Sequence, residues 1–151
     1  MHLMAVTILA CLGIAVVLGT DVFFTVVGRA ALARVSGPAM LEVMGHLHAV
    51  ADRRMPVFGA TGIVGTGLLV AFGPRVRLLA VVALAAQLLW LAVYGAIAKP
   101  INAQMSARIG TDAGSRDARA LQTRWESLLI PRSLLLTIAL CSLLLALTNE
   151  G

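Results

Sequence analysis

Residues 55–98 read MPVFGATGIVGTGLLVAFGPRVRLLAVVALAAQLLWLAVYGAIA, two long apolar runs joined by the segment Gly73-Pro74-Arg75-Val76-Arg77. Each run approaches the roughly 20 residues that a helix needs to cross a ~30 Å hydrocarbon core. A lone span must satisfy its own backbone hydrogen bonds, so both runs are read as helices. Gly-Pro in so short a connection predicts a tight turn, which makes the two helices antiparallel neighbours.

Runs of the same kind recur towards both ends of the chain, giving expected spans at 4–27, 55–72, 78–98 and 130–148 within a single membrane domain, 1–151. With 60% hydrophobic and 13% charged residues, the composition lies outside the balance of a soluble domain. The first run is read as a mature helix and not a cleaved signal, since no basic residue precedes it and Arg29 and Arg34 follow it. Cys11 and Cys141 fall inside spans without metal-type spacing and are read as packing residues. The expected fold is all-α: a four-helix transmembrane bundle with an amphipathic cytoplasmic-side helix between the first and second spans.

The net charge of +5 has a simpler explanation than a nucleic-acid partner. Arg29, Arg34, Arg53 and Arg54 fall in the first connection, and Lys99, Arg108, Arg116, Arg119 and Arg124 in the third, with Arg132 just inside the fourth span. Only Arg75 and Arg77 lie elsewhere, so the split between the two sides is ten against two. By the positive-inside rule the first and third loops face the cytoplasm and both termini lie outside, with a bacterial inner membrane as the expected location.

Ser36, Gly37 and Pro38 break the chain before a stretch, Ala39 to Arg54, of helical periodicity. Met40, Val43, Met44, Leu47 and Ala51 fall on one face, so a helix is expected that lies on the membrane surface or continues into the second span. Gly110 to Ser115 reads as a polar turn, and Arg116 to Ser127 as a helical extension of the fourth span. Gly59, Gly62, Gly65 and Gly67 give the second span small residues on most faces, which permits close helix contact and would also allow a homo-oligomer.

Asp21 is the only acid inside an expected span, and on insertion scales an unpaired carboxylate there costs about 2.5–3.5 kcal/mol. Arg53, Arg54 and Arg132 lie at the same end of the bundle as candidate partners. His46 and His48, two apart, point about 200° away from each other on a helix, which argues against a paired-histidine clamp. Each has an acid at i,i+4 reach, Glu42 behind His46 and Asp52 ahead of His48. His48 is the inward candidate, an imidazole suited to general-base work near neutral pH.

Gln87, Trp90 and Tyr94 share one face of the third span, which leads to Lys99, Pro100 and Asn102. Trp125 and Arg132, seven apart, fall on one helical face. A site opening at the cytoplasmic end is therefore expected, assembled from Asp21, His48, Arg53, Arg54, Asn102, Trp125 and Arg132 and suited to a lipophilic small molecule drawn from the bilayer.

These elements, Arg53-Arg54-Met55-Pro56, Lys99-Pro100-Ile101-Asn102 and Arg124-Trp125-Glu126 followed by Arg132, resemble those of the anthrone oxygenase-like family of small four-helix membrane proteins. The resemblance covers nearly the whole chain. It implies an oxygenase that adds molecular oxygen to an electron-rich aromatic without an obvious metal or flavin. In that reading His48 or Asp21 is the base, Arg132 and Asn102 stabilise an enolate oxygen, Trp125 stacks on the ring, and Arg53, Tyr94 and Trp90 contribute to substrate binding. The chain departs from the family at Leu129, where members often carry His. No cofactor is expected. The alternatives are a non-catalytic lipid-binding or accessory protein and a metal or haem protein using His46, His48 and Asp52.

Overall fold

The computed structural model describes residues 2–149, and every regular element in it is helical. Helix α1 (His2–Phe23) runs through a π-helical turn, Phe24–Gly28, into α2 (Arg29–Leu32). Then come α3 (Gly37–Arg54), α4 (Pro56–Phe72) and α5 (Arg77–Val93); a second π-helical turn, Tyr94–Ala98, leads into α6 (Lys99–Ala107), followed by α7 (Asp112–Glu126) and α8 (Leu129–Asn149). Four of the resulting helical stretches are long and apolar enough to cross a membrane: Leu3–Leu32, Gly37–Phe72, Arg77–Ala107 and Asp117–Asn149. The chain is an integral membrane protein built as a four-helix bundle, as its apolar runs require.

Pro38 and Pro131 occupy the first turns of α3 and α8 and Pro74 the turn between α4 and α5, where a missing N–H costs least. Pro56 and Pro100 fall within continuous helical stretches, at the α3–α4 junction and just after the second π-helical turn. The α4–α5 turn is as tight as expected: Gly73 N–H reaches Leu69 O at 2.8 Å, and Arg77 Nε donates to Val70 O at 3.0 Å, covering α4's terminal carbonyls. Ser36 caps α3, its hydroxyl accepting from Ala39 N–H. Within the spans, the hydroxyls of Thr7, Thr61, Thr66, Thr137 and Ser142 each donate to the carbonyl four residues earlier. No lipid has to accept those protons.

The bundle closes as a ring in which α1 and α5 each pack against both α4 and α8. Its core runs through Ala10, Ile14, Val17, Leu69, Ala83, Leu136 and Leu143. The α1–α4 contact depends on glycine. A Cβ on Gly13 would stand 2.6 Å from Phe58 O and 2.9 Å from Gly62 N, and one on Gly65 would stand 2.9 Å from the Ala10 Cβ. Gln87 then ties α5 to α4, its Nε2 donating to Thr66 Oγ1 at 2.8 Å.

A second core sits at the basic end, where α3, α6 and α7 pack together around Met40, Leu41, Met44, Ile101, Met105, Leu121 and Trp125, with Phe24 and Leu129 entering from the spans. Here two expectations are corrected. The buried face of α3 is Met40, Leu41, Met44, Gly45 and His48, rotated from the anticipated stripe, and Val43 is 55% exposed. The cause is Gly45: a Cβ there would meet Ile109 Cδ1 at 2.8 Å and Met105 O at 3.0 Å, and its carbonyl accepts from Ser106 Oγ at 2.9 Å. Close approach by α6 draws in a face that a count of apolar side chains overlooks. The helix continues into α4 through Met55, the second of the two placements expected for it. The polar turn after α6 is shorter than expected, spanning 108–111, with Gly110 at φ +73° and α7 already begun at Asp112. Cys11 is buried in the bundle core, and Cys141 is exposed on the outer face of α8.

Gly13→Ala is expected to lower the thermal unfolding midpoint in detergent, by overpacking worth about 1–3 kcal/mol. Gly67→Ala, where a Cβ meets nothing within 4 Å, should leave the midpoint unchanged or raise it. Equal midpoints for the two variants would refute glycine contact as the determinant of α1–α4 spacing.

Candidate functional site

A cavity of about 410 Å³ lies at the seam between the bundle core and the basic-end core. Its size falls within the usual range of small-molecule sites. Asp21 and Phe24 reach it from α1, His48 and Asp52 from α3, Met55 and Gly59 from the α3–α4 junction, Trp90 and Tyr94 from the third span, and Asn102, Trp125 and Arg132 from α6, α7 and α8.

At its base, Arg132 Nη2 donates to Asp21 Oδ1 at 2.8 Å, and both side chains are buried. Of the three arginines considered as partners for Asp21, the fold selects the one farthest away in sequence. The guanidinium carbon also lies 5.9 Å from the centre of the Trp90 ring, a cation–π distance. The Trp90 indole lies beside the Asp21 carboxylate but outside hydrogen-bonding geometry.

Asp52 anchors the other polar group. Its Oδ1 accepts from Tyr94 OH at 2.8 Å and from Asn102 Nδ2 at 3.0 Å, fastening α3 to the third span. The pairing of His48 with Asp52 anticipated from their i,i+4 spacing is not made as a hydrogen bond; Asp52 Oδ1 is instead shared by Tyr94 and Asn102. His48 is 3% exposed, and its Nε2 has no partner in the protein. Its ring packs 5.1 Å from Trp125, which meets the edge of Phe24 at 5.2 Å. Trp90 and Tyr94 form a second aromatic pair, stacked at 5.8 Å and nearly parallel at 7°.

Both π-helical turns border this cavity. In the first, Arg29 N–H reaches back to Phe24 O, and Gly28 leaves room for the Phe24 ring, whose Cδ1 lies 2.5 Å from where a Cβ would be. In the second, Lys99 N–H reaches Tyr94 O just before Pro100, which has no N–H and crowds the carbonyl four residues back. Such turns are frequent at functional sites.

Of the side chains singled out in the sequence, Asp21, His48, Trp90, Tyr94, Asn102, Trp125 and Arg132 converge on the cavity. Arg53 does not: one residue past Asp52, it projects about 100° around α3 and is exposed, as is Arg54. His46 is likewise exposed, so His46, His48 and Asp52 are not gathered as a metal set. Among the described residues no three His, Cys, Asp or Glu side chains come together in a way that would hold an ion. Leu129, at the position where the resembled family often has His, is buried in the basic-end core. Phe24 was missed; the Phe24-x-x-x-Gly28 spacing was the one signal available for it. No protein-family model, no curated protein and no solved structure matches the chain.

Asp21→Leu and Arg132→Leu should each destabilise the protein by about 3–5 kcal/mol, since either leaves an uncompensated buried charge, whereas the double variant should recover most of the loss. Additive losses in a denaturant titration of all three variants would show that the two side chains are not energetically coupled.

Proposed function

We propose that this protein binds a planar lipophilic aromatic molecule in the seam cavity and oxygenates it with molecular oxygen, without a resident cofactor, at the cytoplasmic end of the bundle. The supporting observation is a concentration of unanswered polar atoms. Asp21 Oδ2, His48 Nε2, Trp90 Nε1, Asn102 Oδ1, Trp125 Nε1 and Arg132 Nε are buried without a protein partner, and all six residues line this one cavity. Buried polar atoms are rarely left so, and a cluster of them with aromatic walls suits a ligand that carries both ring surface and polar edges.

The chemistry follows the resemblance to anthrone oxygenase-like proteins. His48 Nε2 accepts a proton from an acidic ring CH₂, and the carbanion is delocalised as an enolate whose oxygen meets the Arg132 guanidinium and an indole N–H. The carbanion gives one electron to dioxygen, and the radical pair collapses to a C–O bond. The resulting peroxide takes the proton back from the imidazolium. Loss of water then leaves a carbonyl, so CH₂ and O₂ become C=O and H₂O with no outside reductant. The ten-to-two division of basic residues supports placing this end in the cytoplasm of a bacterial inner membrane. A non-catalytic lipid-binding or accessory role is the second reading, favoured by wall residues Leu47, Val64 and Leu91 that are also exposed on the apolar outer surface.

The test is oxygen uptake by purified protein in nanodiscs supplied with a hydroxyanthrone. One O₂ should be consumed per quinone formed, and His48→Gln should lower kcat about 10²–10⁴-fold with substrate affinity little changed. Unaltered turnover in that variant sinks His48 as the base. No turnover by the unmodified protein, together with co-purifying phospholipid, would establish the second reading.

A further inference from the structure

One helical turn deeper than the Asp21–Arg132 pair the bundle contains a small recess, separate from the main cavity but sharing walls with it. Val17, Gly59, Ile63 and Trp90 border both spaces, whereas Ile14, Gln87 and Leu136 border the recess alone. Val17 lies four residues before Asp21, and Leu136 four after Arg132, so each wall is one turn inward from a partner in the ion pair. The recess admits the centre of a water-sized sphere over about 10 Å³. That is room for one small molecule.

Its lining does not suit water. Gln87 has its amide nitrogen engaged by Thr66 Oγ1 at 2.8 Å and by Ala83 O at 3.2 Å. Trp90 meets Gly59 with the Cζ3 and Cη2 edge of its ring, while its Nε1 lies towards Asp21. Gln87 Oε1, turned towards Gly62, offers a single acceptor, and the other side chains bordering the recess are hydrocarbon. A buried water needs two to four polar partners, and apolar pockets in proteins stay dry and take up apolar guests.

We propose that this recess is a dioxygen-binding site that supplies the cavity. Dioxygen is small, apolar and more soluble in hydrocarbon than in water, and the recess lies on the membrane-core side of the site. The shared walls put its contents beside the face of the cavity where Trp90 and Arg132 would hold an enolate. This inference rests on the oxygenase reading for its purpose, but its occupancy is measurable without turnover.

The experiment uses methyl-labelled protein in nanodiscs under increasing dioxygen pressure, with paramagnetic relaxation read at Ile14 and Leu136. Leu69 and Leu143, as deeply buried in the same core, are the controls. Relaxation at the recess methyls should exceed the controls severalfold, and Leu136→Phe should remove the excess. Gly59→Ala, whose Cβ would make ordinary contact with Trp90 at 3.7 and 3.8 Å, should reduce it without overpacking. Both variants should raise the KM for dioxygen severalfold, and Leu136→Phe, at a residue that borders the recess alone, should leave the KM for the aromatic unchanged.

Recess methyls relaxing no faster than the controls would overturn the inference, whatever the turnover. So would a KM for dioxygen that stays put once the excess relaxation is lost. Excess relaxation in a protein with no oxygen uptake would remove the oxygenase reading and leave the recess as a dioxygen-binding site.

Discussion

The Asp21–Arg132 pair joins the first membrane span to the last across 111 residues of chain, with both side chains buried. Burying two ions costs several kcal/mol each, repaid only when their geometry is good and other polar groups are near. The pair therefore sets the rotation of α1 and α8 about their axes. With α1 so turned, Phe24, three residues on, reaches Trp125; with α8 so turned, the guanidinium covers the Trp90 ring. The floor and two walls of the cavity follow from one ionic contact.

The cavity lies where two cores meet. The spans pack through alanine, glycine and leucine, with helix axes brought close by small residues, while α3, α6 and α7 pack through methionine, leucine and a tryptophan. Side chains of different bulk do not interdigitate fully at such a seam. The links around it are polar: Tyr94 to Asp52 and Arg132 to Asp21 at the seam itself, and Ser106 to the Gly45 carbonyl, Asn102 to Asp52 and Arg119 to the Leu32 and Val35 carbonyls on its basic-end side.

The spans could be read from the sequence because the solvent, and not a partner, imposes their apolarity; the tight turn and the break before α3 followed from Pro74 and Pro38. The choice of His48 over His46 was also local, resting on the angle between residues two apart. Long-range pairing was not available in this way. Nothing near Asp21 distinguishes Arg132 from Arg53 or Arg54, and nothing near Asp52 announces hydrogen bonds to residues 42 and 50 positions away. The face of α3 was misjudged because Gly45 adds no hydrophobicity to a helical wheel, yet it decides which side another helix can approach.

The two π-helical turns have a consequence for how this architecture tolerates change. Each accommodates one residue more than an α-helical turn, so everything beyond it is rotated by about 100° relative to an uninterrupted helix. Helix α1 and the third span thus present one set of faces to the bundle and an independently phased set to the basic-end core. The turns act as phase shifters, and through them the packing of the membrane core and the shape of the site's roof can drift separately in evolution. A single-residue deletion within either turn would restore a regular helix while turning Arg29 or Asn102 away from its present direction.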